Sequence, residues 1–148
     1  NILGNNLNKT LKRVFKLESN IDKAGWVSHK LVTTYSNPDA SGSLLQGTYK
    51  ARIKVYLPAG TKLVKAGWGS KDITKEVKSF SDYGRAGYSM VLELKPREEK
   101  ELVLEYQDGR SLSWEAETAK YKLQVIRKKR IYMKLNQTIS FYILQKMK

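Results

Sequence analysis

The sequence has no cysteine, a single histidine (His29) and only three prolines among its 148 residues. Without cysteine, neither a disulfide framework nor a thiolate metal site can form. No apolar run approaches the roughly 18 residues that a membrane-spanning helix requires. With 41% hydrophobic residues, a chain of this length can bury a core without covalent staples. The composition therefore predicts one domain with short appendages.

Negative charge is absent from the last part of the chain. The net charge is +14, and residues 118–148 hold nine Lys or Arg and no Asp or Glu. A basic block of this kind is typical of an arm that binds polyanions. Lys outnumbers Arg 21 to 7, so an AT-rich coding sequence is the alternative explanation of the excess.

Apolar residues recur at helical spacing near the start of the chain, at Leu3, Leu7, Leu11, Val14 and Phe15. Basic residues lie between them, which predicts a short amphipathic helix that ends near Leu17. We interpret residues 1–20 as the end of a preceding helical region whose apolar stripe packs on its own protein. Contact of this stripe with a membrane surface is the alternative.

Residues 21–126 alternate apolar and polar side chains over short segments that are separated by turn residues. In the segment TYKARIKVYL, side-chain alternation separates an apolar face from a face that carries Lys50, Arg52 and Lys54. Strands at roughly 8–12-residue intervals predict an antiparallel, immunoglobulin-like β-sandwich with a short N-terminal helix. The other predicted strands are WVSHKLVTTY, TKLVKAGW, TKEVKSFS, GYSMVLEL, KELVLEY, SLSWEAE and AKYKLQVI. The predicted core consists of Tyr49, Ile53, Val55, Leu57, Met90, Leu92, Leu102, Leu104, Tyr121, Leu123 and Val125.

Three segments together carry a resemblance to a known family: LESNIDKAGWVSHKLVTTYSNP, GTYKARIKVYLPAGTKL and AKYKLQVI. They resemble the C-terminal, β-rich part of the bacterial domain-of-unknown-function family 4012, over residues 17–126. The shared motifs are an SN…K entry, a strand end of the form Y.N and a strand-turn in which YLP.G follows Arg52 on the same strand. The resemblance implies an extracytoplasmic location in the bacterial cell envelope, with a membrane anchor outside this segment. It supplies no catalytic residue.

The sequence departs from the family pattern after Ile126, where it continues as RKKRIYMKLNQTISFYILQKMK. Two interpretations of residues 127–148 remain open. They are either a native basic tail that begins at Arg127, or the product of a shifted reading frame, in which case closing strands of the sandwich are missing.

The residues predict no catalytic group, no cofactor and no metal site. His29 lies in a strand pattern, and we interpret it as a surface or boundary residue. Glu98, Glu99 and Glu101 flank a turn after Pro96, where carboxylates are ordinarily solvated. The aspartates of the turns lack the dense ligand spacing of a calcium loop.

Two sets of residues are candidates for binding. Polyanion contacts are predicted at Lys50, Arg52, Lys54, Arg127, Lys128, Lys129 and Arg130, and glycan contacts at Tyr83 and Tyr88. For the row from Lys50 to Lys54 we favour a structural role, because Glu93, Glu101 and Glu105 form rows of opposite charge on other strands. The three tryptophans are interpreted as core residues, and a sugar-stacking platform is the alternative.

These patterns favour a noncatalytic, extracytoplasmic β-sandwich module of a bacterial envelope protein that acts in adhesion, spacing or assembly. Its expected partners are other envelope proteins or the preceding region of its own chain. The first alternative is a basic module that binds an anionic polymer, either nucleic acid or an envelope polyanion such as teichoic acid. The second alternative is a glycan-binding module.

Overall fold

A computed structural model describes residues 11–38, 47–112, 118–128 and 134–144. Within these ranges the secondary structure consists of ten strands and one turn of 3₁₀ helix, Thr74–Glu76. The strands are β1 (Lys12–Ile21), β2 (Val27–Ser36), β3 (Tyr49–Leu57), β4 (Lys62–Trp68), β5 (Lys71–Asp72), β6 (Lys78–Asp82), β7 (Arg85–Leu94), β8 (Glu99–Gln107), β9 (Thr118–Lys128) and β10 (Lys134–Leu144). In this part of the chain, no helix is long and apolar enough to cross a membrane.

The strands form antiparallel sheets. The first eight build a five-stranded sheet with the order β1-β2-β8-β4-β5 and a three-stranded sheet with the order β3-β7-β6, while β9 and β10 pair with each other. The predicted all-β class is confirmed. Between Leu63 and Lys65 the pairing of β4 with β8 shifts its register at a bulge, which leaves Val64 62% exposed.

The five-stranded and the three-stranded sheet share one hydrophobic core. On β3, β7 and β8 the inward positions alternate with outward ones, as the sequence predicts: Tyr49, Leu92 and Leu104 are each at most 2% exposed. Ile53 and Val55 are partly buried and pack against this core. The side chains of the predicted core residues Tyr121, Leu123 and Val125 lie outside the described part of the structure.

The prediction of an N-terminal helix is wrong for the residues that the structure describes. Residues 12–21 form β1, which pairs with β2 along its whole length, from Lys12 opposite Ser36 to Ile21 opposite Val27. A helix of this length is marginal in water, whereas the edge of β2 offers a continuous ladder of hydrogen bonds. Leu3 and Leu7 lie outside the described residues.

Two further segments differ from the predicted strands. In TKEVKSFS the first residues form the 3₁₀ turn, because the Asp72 carboxylate accepts a hydrogen bond from the Thr74 N–H at 2.8 Å and the Thr74 hydroxyl accepts one from the Ala66 N–H at 2.8 Å. In SLSWEAE, Ser111 and Leu112 are not in a strand, and 113–117 lie outside the described residues.

The strand β9 continues past Ile126 to Lys128, and β10 follows within residues 127–148, for which the sequence leaves open a native basic tail or the product of a shifted reading frame. The two strands pair in an eleven-residue antiparallel register that includes Arg127 opposite Leu135. Lys129 and Arg130, two of the predicted polyanion contacts, lie outside the described residues.

Asn37, which follows β2 directly, is buried, and its side chain connects two loops. Its amide nitrogen lies 3.2 Å from the carbonyl oxygen of Gly47, 3.4 Å from that of Leu94 and 3.1 Å from that of Lys95. The backbone N–H of Asn37 donates to the Glu98 carbonyl at 3.0 Å. One side chain therefore joins both ends of the β2–β3 connection to the turn between β7 and β8.

Candidate functional site

The outer face of the three-stranded sheet carries the basic row that the sequence singles out. Alternation along β3 places Lys50, Arg52 and Lys54 on this face, and all three are exposed. Lys50 lies opposite Glu93 of β7, and their charged groups are 3.3 Å apart. The predicted neutralisation by a neighbouring strand is thus present at Lys50.

The neutralisation does not extend along the row. Arg52 lies opposite Val91, and Lys54 lies opposite Ser89. On its other side, Ser89 is paired with Lys78 of β6, so that two ammonium-bearing residues flank one hydroxyl-bearing residue. The sequence interpretation missed Lys78. Its alternation with Phe80 was visible, but the pairing of β6 with β7 that sets it beside Ser89 was not.

The remaining carboxylates of the sequence interpretation lie in the other sheet. Glu105 of β8 is opposite Lys30 of β2 and Lys65 of β4, and Lys30 is in turn opposite Glu18 of β1. Charges therefore alternate across four strands on the outer face of the five-stranded sheet. Glu101 lies opposite Thr34, whose hydroxyl is 3.5 Å from a Glu101 carboxylate oxygen. The interpretation that Glu101 and Glu105 neutralise the row from Lys50 to Lys54 is wrong.

An aromatic pair adjoins the basic row. Tyr56 is 41% exposed, and its ring meets the ring of Phe80 edge to face, with centroids 5.5 Å apart. The ammonium group of Lys54 lies 5.3 Å from the Phe80 ring centroid, within the range of a cation–π contact. Beyond this pair, Tyr83 in the β6–β7 turn is 93% exposed and has a φ of 50°.

Tyr88, the second predicted glycan contact, is a core residue with 8% exposure. Its hydroxyl donates to the Thr61 carbonyl at 2.7 Å and accepts from the Leu63 N–H at 3.1 Å. Tyr88 points inward because it alternates with Gly87 and Ser89 on β7. A ring held in this way offers no face to a sugar, so the glycan prediction for Tyr88 is corrected.

The tryptophans differ in their placement. Trp68 is partly buried, packs against Tyr35 with ring centroids 5.6 Å apart and donates from Nε1 to the Glu93 carbonyl at 3.1 Å. Trp26 is 40% exposed, and Trp114 lies outside the described residues. Among these, Trp68 has the core position that the sequence predicts.

His29 is buried, with 4% exposure, which corrects its interpretation as a surface or boundary residue. Its Nδ1 is 2.8 Å from the Ser19 hydroxyl, and its Nε2 is 3.3 Å from a carboxylate oxygen of Asp108. The ring also stacks on Tyr106, with centroids 4.8 Å apart. Burial raises the pKa of Tyr106 to about 12, so this phenol stays neutral beside the carboxylate of Asp108.

Ser19, His29 and Asp108 contact one another in that order, and they are the residue types of hydrolase triads. In the tautomer that carries its proton on Nε2, His29 can donate to Asp108, and its Nδ1 can then accept a hydrogen bond from the Ser19 hydroxyl. A cleft of about 470 Å³ borders Ser19, His29 and Tyr106. Acyl transfer also needs N–H donors that converge on the developing oxyanion, and successive N–H groups of an extended strand such as β1 point in opposite directions.

The charged turns serve local structure. The ammonium group of Lys100, 2.6 Å from Glu98, and the backbone N–H of Lys95, at 2.8 Å, lower the pKa of the Glu98 carboxyl. Hydrogen bonds from Thr74 likewise lower the pKa of Asp72. In the described part of the chain, no three His, Asp or Glu side chains come together in a group that can hold a metal ion.

Comparison with known proteins adds no relative. No family model matches the chain, and no curated protein sequence matches it.

Proposed function

We propose that the chain is a noncatalytic, immunoglobulin-like β-sandwich module of a bacterial envelope protein, located outside the cytoplasm, where it acts in adhesion, spacing or assembly. The observation that carries this proposal is that the buried polar side chains hold parts of the fold together. His29, Asn37 and Tyr88 each connect separate strands or loops. Sandwich domains share a two-layer architecture without always sharing strand order.

The noncatalytic part of the proposal is supported by the surroundings of His29. Its side chain is only 1% exposed, and both of its ring nitrogens have partners in Ser19 and Asp108. Ser19 lies in the interior of a strand, away from the tight turns whose consecutive N–H groups form oxyanion sites. We therefore assign Ser19, His29 and Asp108 to the attachment of β1 to the rest of the five-stranded sheet.

A covalent probe tests this assignment. The full chain is incubated with a fluorophosphonate, which labels activated serines, and the protein is digested and mapped by mass spectrometry. We expect no label at Ser19, and a lower unfolding midpoint for His29→Ala. Stoichiometric labelling of Ser19 that disappears in His29→Gln would show an activated nucleophile and would overturn the noncatalytic assignment.

The envelope location rests on the sequence motifs of residues 17–126 alone, which resemble family 4012, since no family model matches the chain. Its test is protease treatment of intact cells of the source bacterium, followed by detection with an antibody raised against this chain. We expect the antigen to be digested on intact cells while a cytoplasmic marker survives. Protection of the antigen until the cells are lysed would contradict an exposed location.

A further inference from the structure

The outer face of the three-stranded sheet carries positive charge that its own carboxylates do not compensate. Alternation along the strands places five cations and two carboxylates on this face: Lys50, Arg52, Lys54, Lys78 and Arg85, with Asp82 and Glu93. Glu93 pairs with Lys50, and Asp82 lies opposite Arg85 in the ladder. The charges of Arg52, Lys54 and Lys78 remain without a compensating carboxylate on this face.

These three residues are exposed, and within the described ranges none of them forms an ion pair with a carboxylate. On the outer face of the five-stranded sheet, by contrast, Lys30 and Lys65 both have a residue of opposite charge, Glu105, as their neighbour in the ladder. The outer face of the five-stranded sheet is thus balanced in charge, whereas the outer face of the three-stranded sheet is cationic.

The spacing of the cations suits a chain of anionic groups. Residues two apart on β3 are about 6.8 Å apart along the strand, which sets the distance from Arg52 to Lys54. Lys54 and Lys78 each lie one strand spacing, about 4.8 Å, from Ser89. A phosphate group above Ser89 would meet two ammonium groups and a hydroxyl donor, and the next phosphate of an extended strand would meet the guanidinium of Arg52.

Aromatic surface lies next to these cations. Tyr56 is two residues from Lys54 on the same face, and Tyr83 lies farther along in the same direction. Single-stranded nucleic acids bind to surfaces that combine a cationic track with aromatic rings on which bases stack. A poly(glycerol phosphate) chain has no ring to stack, and a duplex keeps its bases away from a flat sheet.

We propose that this face binds single-stranded nucleic acid without base selectivity, with phosphates at Arg52, Lys54 and Lys78 and a base stacked on Tyr56. The proposal goes beyond the noncatalytic assignment and does not depend on where the protein resides. It also assigns the binding to the sheet and not to the basic residues that follow Ile126.

Fluorescence anisotropy with a labelled oligothymidylate tests the proposal on the full chain. We expect an association constant whose logarithm falls with log salt at a slope of about −1.4, since the phosphate above Ser89 and the next one at Arg52 contribute about −0.7 each. The triple variant Arg52→Ser, Lys54→Ser, Lys78→Ser should weaken binding by at least about tenfold near 0.15 M salt. Circular dichroism verifies that each variant keeps its fold.

The matched control is the triple variant Lys16→Ser, Lys30→Ser, Lys65→Ser, which lowers the net charge by the same amount on the outer face of the other sheet. We expect it to bind within about twofold of the unchanged protein. Equal losses in the two triple variants would show attraction by overall charge alone and would overturn the proposal, as would the absence of binding by the unchanged protein.

Two further variants locate the site and identify the polymer. Changing Arg127, Lys128, Lys129 and Arg130 to Ser should leave most of the binding, and a loss as large as that of the first triple variant would place the site elsewhere. Tyr56→Leu should weaken oligothymidylate binding by at least about fivefold, the lower end of one stacked base. If poly(glycerol phosphate) binds as tightly and Tyr56→Leu changes neither affinity, the ligand is not a nucleic acid.

Discussion

The ring of Phe80 lies over Gly87 of the neighbouring strand and reaches Tyr56 on the strand beyond it. A Cβ at position 87 would overlap with the Cε2 and Cζ atoms of that ring. Glycine is therefore the residue that lets two aromatic side chains from β3 and β6 meet across the central strand β7. The contact between Tyr56 and Phe80 depends on the absence of a side chain at Gly87.

Replacing Gly87 by Ala should push the Phe80 ring away from Tyr56. The Phe80 ring then loses its contact with Tyr56. We expect the effects of Gly87→Ala and Phe80→Leu on the free energy of unfolding to be coupled by about 1 kcal/mol, as is typical of residues in contact. Urea unfolding of the two single variants and the double variant measures this coupling. Strictly additive losses would mean that the ring does not occupy the space above Gly87.

Removing the Tyr88 hydroxyl should destabilise the fold. Tyr88→Phe leaves the N–H of Leu63 and the carbonyl of Thr61 without their partner, which costs about 1–3 kcal/mol in a buried site. Tyr56→Phe is the control, because its hydroxyl is exposed and lies 3.5 Å from Asp82. We expect its effect to stay within about 0.5 kcal/mol. Equal effects in urea unfolding would contradict the buried position of the Tyr88 hydroxyl.

Two consecutive residues of β7 test the register of the core. Leu92 is 1% exposed and Val91 is 47% exposed. Leu92→Ala should lower the free energy of unfolding by about 2–5 kcal/mol, because it removes buried surface and leaves a cavity. Val91→Ala should change it by at most about 0.5 kcal/mol. A larger loss for Val91→Ala would show that β7 presents its other face to the core.

The Glu98 carboxylate should contribute to stability only above acidic pH. Lys100 and the N–H of Lys95 lower its folded-state pKa below the ordinary value of 4.5. Such a contribution is fully present above the ordinary pKa and is lost as the pH falls through the lower, folded-state value. Unfolding midpoints of the unchanged protein and of Glu98→Gln should therefore differ at pH 7 and converge below pH 4.5.

Glu99→Gln, a change of the neighbouring exposed carboxyl, is the control for this pH series. We expect its midpoint to follow that of the unchanged protein across the range. A difference between Glu98→Gln and the unchanged protein that grows on acidification would give the linkage the opposite sign.

The strands that border the core were predictable because burial gives them a strict alternation. One face of each strand is exposed and the other is buried, as in β3 (Tyr49–Leu57) and β7 (Arg85–Leu94). Exposed and buried residues therefore alternate along the sequence with a period of two. The edge strand β1 has no fully buried residue: Leu17 is only partly buried against the core, and Val14 is 66% and Phe15 is 51% exposed. Its apolar residues fit a helical period as well as a strand, so pairing with β2 decided the outcome.

Burial of His29 depends on partners that are distant in sequence. Its alternation with Val27 on β2 placed it on the inward face, but a polar ring is stable there only with hydrogen-bond partners. Those partners are Ser19, ten residues away, and Asp108, directly after β8. The same limit applies to the cationic face, where the pairing of β7 with both β3 and β6 brings Lys54 and Lys78 to Ser89.

Because of the contacts of the Asn37 side chain, the two sheets do not depend on the length of the β2–β3 connection. Both ends of that connection are held to the β7–β8 turn through Asn37 itself and the Gly47 carbonyl, whatever residues lie between them. Each doubling of such a loop costs only about 0.6 kcal/mol of closure entropy. Foreign peptides or whole domains inserted after Asp39 should therefore be carried by the module without disturbing either sheet.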